Sequence, residues 1–64
     1  MEEINMKQYS YDEYKFYVDG KCYGSCNVPT NDTDYDYYRD AAFIVRETKR
    51  NVAIYKNGIH IDTV

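Results

Sequence analysis

What this sequence lacks narrows its reading at once. No apolar run approaches the ~20 residues that span a bilayer, so no transmembrane helix is expected. The first residues, MEEINMKQY, are acidic and polar, not basic and then apolar, so no secretory signal peptide is expected either. Three glycines and one proline leave no Gly-rich phosphate loop, low-complexity tract or linker, and no internal repeat is visible. One histidine and two cysteines leave little for nucleophilic or metal chemistry: no Ser-His-Asp arrangement and no paired carboxylates with an evident cleft. Excess positive charge is also missing. The net charge is −3, which argues against general affinity for phosphate backbones. The expectation is a cytoplasmic, soluble chain that is not an enzyme and carries no cofactor and no metal.

What is present is tyrosine and acid. Nine tyrosines and two phenylalanines occur with no tryptophan in 64 residues. A chain this short buries only about 60% of its unfolded surface and is marginal alone. Nine tyrosines cannot all be buried in such a body, so several are expected at the surface or in an interface, where tyrosine is favoured. A homodimer is one way to supply the missing burial. The charge is uneven: residues 1–40 hold nine acids and four bases, and residues 41–64 hold two acids and four bases.

One stretch organises the rest. Residues 33–50, TDYDYYRDAAFIVRETKR, read as a helix of about four and a half turns. Thr33 is a suitable N-cap, with Asp36 three residues on as a short capping box. Acids crowd the start and Arg46, Lys49 and Arg50 the end, as the macrodipole favours, and Asn51 is a C′ candidate. At 100° per residue, Tyr37, Tyr38, Ala41, Ala42, Ile44, Val45 and Thr48 share a broad apolar face. Phe43 falls outside it, among Arg39, Arg46, Glu47 and Arg50. A single exposed apolar residue is ordinary, but an aromatic rimmed by arginines also has the composition of a contact anchor. A strand over residues 42–47 would remove the anomaly, since Phe43, Ile44 and Val45 are good strand formers.

Hairpins flank the helix. Strands are expected at residues 9–18 and 22–28, with Pro29 closing the second. A three-residue loop, Val18-Asp19-Gly20, is the favoured connection because it pairs Phe16 with Cys22 and Tyr14 with Gly24, keeping apolar and small residues on one face. A two-residue Asp19-Gly20 turn would pair Phe16 with Tyr23 instead. Gly24 marks a bulge or a close helix approach. The second hairpin, residues 52–56 and 59–63 around Asn57-Gly58, is the strongest local signal, because Asn-Gly suits a type I′ turn. It pairs Tyr55 with His60 and Ile54 with Ile61, placing Val52, Ile54, Ile59 and Ile61 on the core face. Lys15, Tyr17, Tyr23, Tyr55 and His60 fall on the opposite face. The whole reads as one α+β domain over residues 1–64, a β-hairpin–helix–β-hairpin with a four-stranded antiparallel sheet and the helix on one face.

Cys22 and Cys26 on one straight strand would lie roughly 13 Å apart at ~3.3 Å per residue, too far for a disulfide. They read as two small buried thiols under the helix. A zinc site from Cys22, Cys26, His60 and Asp62 meets the same separation. Asp62 falls on the same face as His60, a weak hint of acid–base work.

Functionally, Asp34, Tyr35, Asp36, Asp40 and Phe43 form an acidic aromatic surface, which Glu2, Glu3, Asp12 and Glu13 could extend. Such a surface can occupy a site meant for nucleic acid on another protein, because carboxylates match phosphates in charge. The leading expectation is a protein-binding inhibitor or modulator that masks a nucleic-acid-binding protein. The abundance of Tyr, Asn, Lys, Ile and Asp suits an AT-rich gene of the phage or mobile-element kind. The alternatives are a nucleic-acid-binding module using Arg39, Arg46, Lys49, Arg50 and Lys56 with exposed tyrosines, and a homo-oligomeric structural subunit.

Overall fold

The computed structural model describes residues 10–64. The expectations placed on residues 1–9 (a tail or edge strand, the first strand beginning at Tyr9, and Glu2 and Glu3 in the acidic patch) lie outside the described residues. Five elements follow in order: β1 (Tyr11–Val18), β2 (Lys21–Pro29), α1 (Tyr37–Thr48), β3 (Ala53–Lys56) and β4 (Ile59–Thr63). The strands form one antiparallel sheet in the order β2-β1-β3-β4, and α1 packs on one face of it. This is the α+β hairpin–helix–hairpin architecture expected.

Both hairpins turn on two residues with positive φ, as type I′ requires: Asp19 (52°) and Gly20 (81°), then Asn57 (53°) and Gly58 (83°). The three-residue first loop is therefore corrected. Val18 faces Lys21 and Tyr17 faces Cys22, after which the register shifts so that Phe16 faces Gly24 and Tyr14 faces Cys26. Tyr23 is the extra residue of a β-bulge. The bulge restores the face that the shorter turn would have inverted, so Tyr14 and Phe16 still point to the helix. The second hairpin repeats the device. Lys56 faces Ile59 and Tyr55 faces His60 as expected, but Ile54 faces Asp62 and Ile61 is the extra residue. Ile59 and Ile61 are therefore not core residues; they remain 66% and 39% exposed.

The repetition extends to the centre of the sheet. Phe16 faces Ile54 and Lys15 faces Tyr55 across β1 and β3. Exchanging β1 with β3 and β2 with β4 maps one hairpin onto the other, with Phe16 on Ile54, Tyr17 on Tyr55, Asp19-Gly20 on Asn57-Gly58 and Gly24 on Asp62. The sheet thus has an approximate two-fold axis that the sequence, with few identities between the halves, does not display.

The helix is shorter than expected, Tyr37–Thr48. Its N-cap is Asp36, not Thr33: the Asp36 Oδ1 accepts from the Tyr38 N–H at 3.0 Å. Just upstream Asp32 Oδ1 accepts from the Asp34 N–H at 2.8 Å, an Asx turn that holds residues 32–34 out of the helix. The C-terminal left-handed residue is Lys49 (φ 61°), not Asn51, and its N–H returns to the Val45 carbonyl at 2.7 Å. Residues 42–47 are helical, which removes the strand alternative. The buried stripe is narrower than expected. Ala41 and Ile44 are buried and Tyr37, Val45 and Thr48 half-buried, while Tyr38 and Ala42 are exposed. Ala41 and Ile44 close the core against Phe16, Val18, Val52 and Ile54.

Candidate functional site

The outward side of α1 divides into two rows. At 100° per residue, Arg39, Arg46 and Arg50 fall on one side of Phe43, and Asp36, Asp40 and Glu47 on the other. The acidic row is the one that faces β2: Asp40, Phe43 and Ile44 line a shallow groove of about 210 Å³ with Phe16, Gly24, Ser25 and Cys26. Phe43 stands at its rim, 58% exposed.

The connection into the helix is tied to the same place. The Tyr35 hydroxyl donates to Asp40 Oδ2 at 2.7 Å and lies 3.4 Å from Cys26 Sγ. Its single proton goes to the carboxylate, so the thiol donates to the phenol oxygen. Burial first, then these hydrogen bonds with Cys26 and Asp40, push the Tyr35 phenol well above its ordinary range. Its ring packs on Tyr14 at 5.0 Å between centroids. Of the expected partner-binding residues, Tyr35, Asp40 and Phe43 thus gather beside β2. Asp36 is spent partly on capping, and Asp34 projects from the exposed connection. Among the described residues no cation comes within 4 Å of Asp34, Asp36, Asp40 or Glu47, whereas Asp12 and Asp19 are paired with Lys56 (3.9 Å) and Arg50 (3.3 Å). Asp12 and Glu13, expected to extend the patch, sit beside Lys56 and Lys15 instead.

The basic residues are more dispersed than their spacing suggested. Arg50 reaches Asp19, and the Lys49 ammonium bonds the Arg46 carbonyl at 3.2 Å. Arg39 and Arg46 are exposed on the helix. Tyr17, Tyr55 and His60 lie on the face of the sheet away from the helix, where Tyr17 meets Tyr55 edge-on at 5.1 Å and Tyr55 meets His60 at 5.3 Å. Tyr23, assigned to that face, is the bulged residue and is 54% exposed.

The bulges also rearrange the candidate chemistry. Cys22 pairs with Tyr17 and is exposed, and only Cys26, half-buried, packs under the helix, so the expected pair of buried thiols is corrected. Asp62 faces Ile54 on the helix side, away from His60, and accepts from the Tyr37 hydroxyl at 3.0 Å. That hydrogen bond, followed by desolvation, raises the Tyr37 phenol. His60 Nε2 lies 2.7 Å from Thr63 Oγ1 instead. Among the described residues no three of His, Cys, Asp and Glu converge to hold a metal ion. No helix among them is long and apolar enough to cross a membrane.

Sequence reasoning placed Cys26 under the helix but missed the groove that it lines with Ser25. The one available signal was Gly24, a glycine in mid-strand. Comparison with protein-family models, curated proteins and solved structures returns no match to this chain.

Proposed function

We propose that this chain is a small protein-binding module that masks a basic, nucleic-acid-binding surface of another protein, acting as an inhibitor or modulator of the phage or mobile-element type. One observation carries the reading: the carboxylates of Asp34, Asp36, Asp40 and Glu47 lack a cation among the described residues, and two of them, Asp40 and Glu47, flank the exposed ring of Phe43 on the helix. Acids in a row attract a cationic surface at long range. A half-exposed aromatic at their margin supplies the apolar anchor that charge alone does not. A cytoplasmic setting, in which Cys22 and Cys26 stay reduced, belongs to this proposal.

The direct nucleic-acid reading gains less support. Arginines that would bind phosphates lie on the helix, while Tyr17 and Tyr55, which would stack on bases, lie on the opposite side of the sheet and pack against each other.

The test is a pull-down with the tagged chain from its native host, with and without nuclease, followed by titration of the recovered protein. A stoichiometric partner that survives nuclease is expected. Its affinity falls steeply with salt and drops at least about tenfold for the joint variant D34N/D36N/D40N. Asparagine still caps at position 36 and still accepts from Tyr35 at position 40, so this variant removes charge without removing the fold. Phe43→Ala is expected to weaken the complex by about 2 kcal/mol while changing stability by less than about 0.5 kcal/mol. A catch that vanishes with nuclease would favour nucleic-acid binding, and recovery of the bait alone as a multimer would favour a structural subunit.

A further inference from the structure

The two edges of the sheet are not equivalent. On β4 the alternation of the ladder turns the N–H groups of His60 and Thr63 outward, because Val52 and Val64 exchange both hydrogen bonds at 2.9 Å and Lys56 faces Ile59 across the turn. The outward N–H of Thr63 is already taken, by Asp62 Oδ1 at 2.8 Å. One of the two outward donors of that edge is thus capped by a side chain of the strand itself. On β2 the Thr30 N–H reaches the Ser10 carbonyl at 3.0 Å, and Val28 and Cys26 face Asp12 and Tyr14. Ser25 and Asn27 therefore direct both main-chain groups away from β1, and no described strand lies beyond them. Pro29, with no N–H to offer, occupies the next outward position.

This open edge runs beside the groove under Phe43. Gly24 lies in the groove, yet the fold does not need a glycine there: its φ is not left-handed, and a Cβ built on it meets nothing within 4 Å. Among the described residues that space is open. The helix runs along β2, from Tyr35 beside Cys26 to Arg50 beside Asp19. Asp40 and Glu47 thus sit about 4.5 and 6 Å along the helix axis on either side of Phe43. Residues two apart on a strand are about 6.6 Å apart.

We propose that the partner docks by strand addition: an extended segment of the pattern basic–x–apolar–x–basic pairs with β2 at Ser25 and Asn27. It seats its apolar side chain between Gly24 and Phe43 and brings its two cations to Asp40 and Glu47. The main chain supplies the pairing, and the groove and the carboxylates supply the choice of side chains. The proposal rests on the acidic-surface reading for the charge of the segment, but not for the pairing itself.

The probe is a synthetic peptide, threonine–lysine–threonine–valine–threonine–lysine–threonine, acetylated and amidated, titrated into the isotope-labelled full chain at low salt. The Ser25 and Asn27 amide protons are expected to shift and to become protected from exchange. Asn27→Pro removes an outward donor that the internal ladder does not use, and Gly24→Val fills the groove; each is expected to weaken binding about tenfold, the worth of a hydrogen bond or an apolar anchor. A peptide N-methylated along one edge tests the same pairing without altering the protein and is expected not to bind. Binding with the Ser25 and Asn27 amides exchanging as in the free chain would overturn strand addition while leaving the acidic surface as a docking site. Binding that N-methylation abolishes but D34N/D36N/D40N leaves unchanged would uphold strand addition and overturn the acidic reading.

Discussion

Asn57 and Asp19 occupy equivalent corners of the two hairpins, but only one of them ties the sheet together. Asn57 Oδ1 accepts from the Glu13 N–H at 2.9 Å, its Nδ2 donates to Asp12 at 3.0 Å, and its own N–H donates to the Glu13 carbonyl at 2.7 Å. Among the described residues Asp19 makes only an exposed ion pair with Arg50. Asn57→Asp loses the donor to Asp12 and sets two carboxylates together, an expected cost of about 1–2 kcal/mol. Asp19→Asn is expected to change stability by less than about 0.5 kcal/mol. Urea titration of both variants checks the contrast, and equal effects would refute it. A second residue-scale expectation concerns pH. Burial, then Cys26 and Asp40, raise the Tyr35 phenol in the folded chain. A group raised on folding contributes stability that is complete below its unfolded pKa, about 10 for tyrosine, and is lost as pH climbs above it. The urea midpoint should therefore fall above about pH 10. Tyr35→Phe should flatten that fall, leaving the smaller part due to Tyr37. An unchanged slope in the variant would show that Tyr35 is not held in this way.

At the scale of elements, the helix shows what burial does to adjacent side chains. Ile44 is 8% exposed and Phe43 58%. Ile44→Ala is expected to cost about 2–4 kcal/mol, a large share of the roughly 3–10 kcal/mol available to a chain of this size. The Phe43 truncation should leave the melt nearly unchanged, so thermal denaturation of the pair separates a packing role from a surface role. The elements themselves were legible in the sequence: the 3.6-residue period of α1, the Asn-Gly turn and the closing Pro29 are local signals. The helix ends were not, because Thr33 and Asp36 are both good caps. The choice between them is made by the Asx turn at Asp32 and by the tie from Tyr35 to Asp40. Nor were the bulges legible. Alternation alone favoured Ile59 and Ile61 for the core, and only the packing of Asp62 under Tyr37 reverses that. Of the candidate site, Phe43 stood out as an anomaly in its helix, and Asp40 as an acid. That both meet an open strand edge depends on pairing across the sheet, which no local window contains.

For the molecule as a whole, the sheet is closed in the middle by β1 and β3, strands from different hairpins far apart in the chain. Neither hairpin is expected to be stable alone, since an isolated two-stranded hairpin is marginal in water. A chain ending at residue 56 would lose Val64, whose main chain exchanges two hydrogen bonds with Val52, and would uncover Ile54, which is fully buried. It is expected to be unfolded by circular dichroism, and a native-like spectrum would show that β4 is dispensable to the rest of the fold. The cap that Asp62 places on Thr63 has a consequence of another kind. Endless stacking of sheets into a fibre requires every added copy to present a fresh edge as well as to use one. A molecule whose β4 border has one of its two outward N–H groups tied up by Asp62 offers fewer donors there than at β2, so growth through that border is disfavoured.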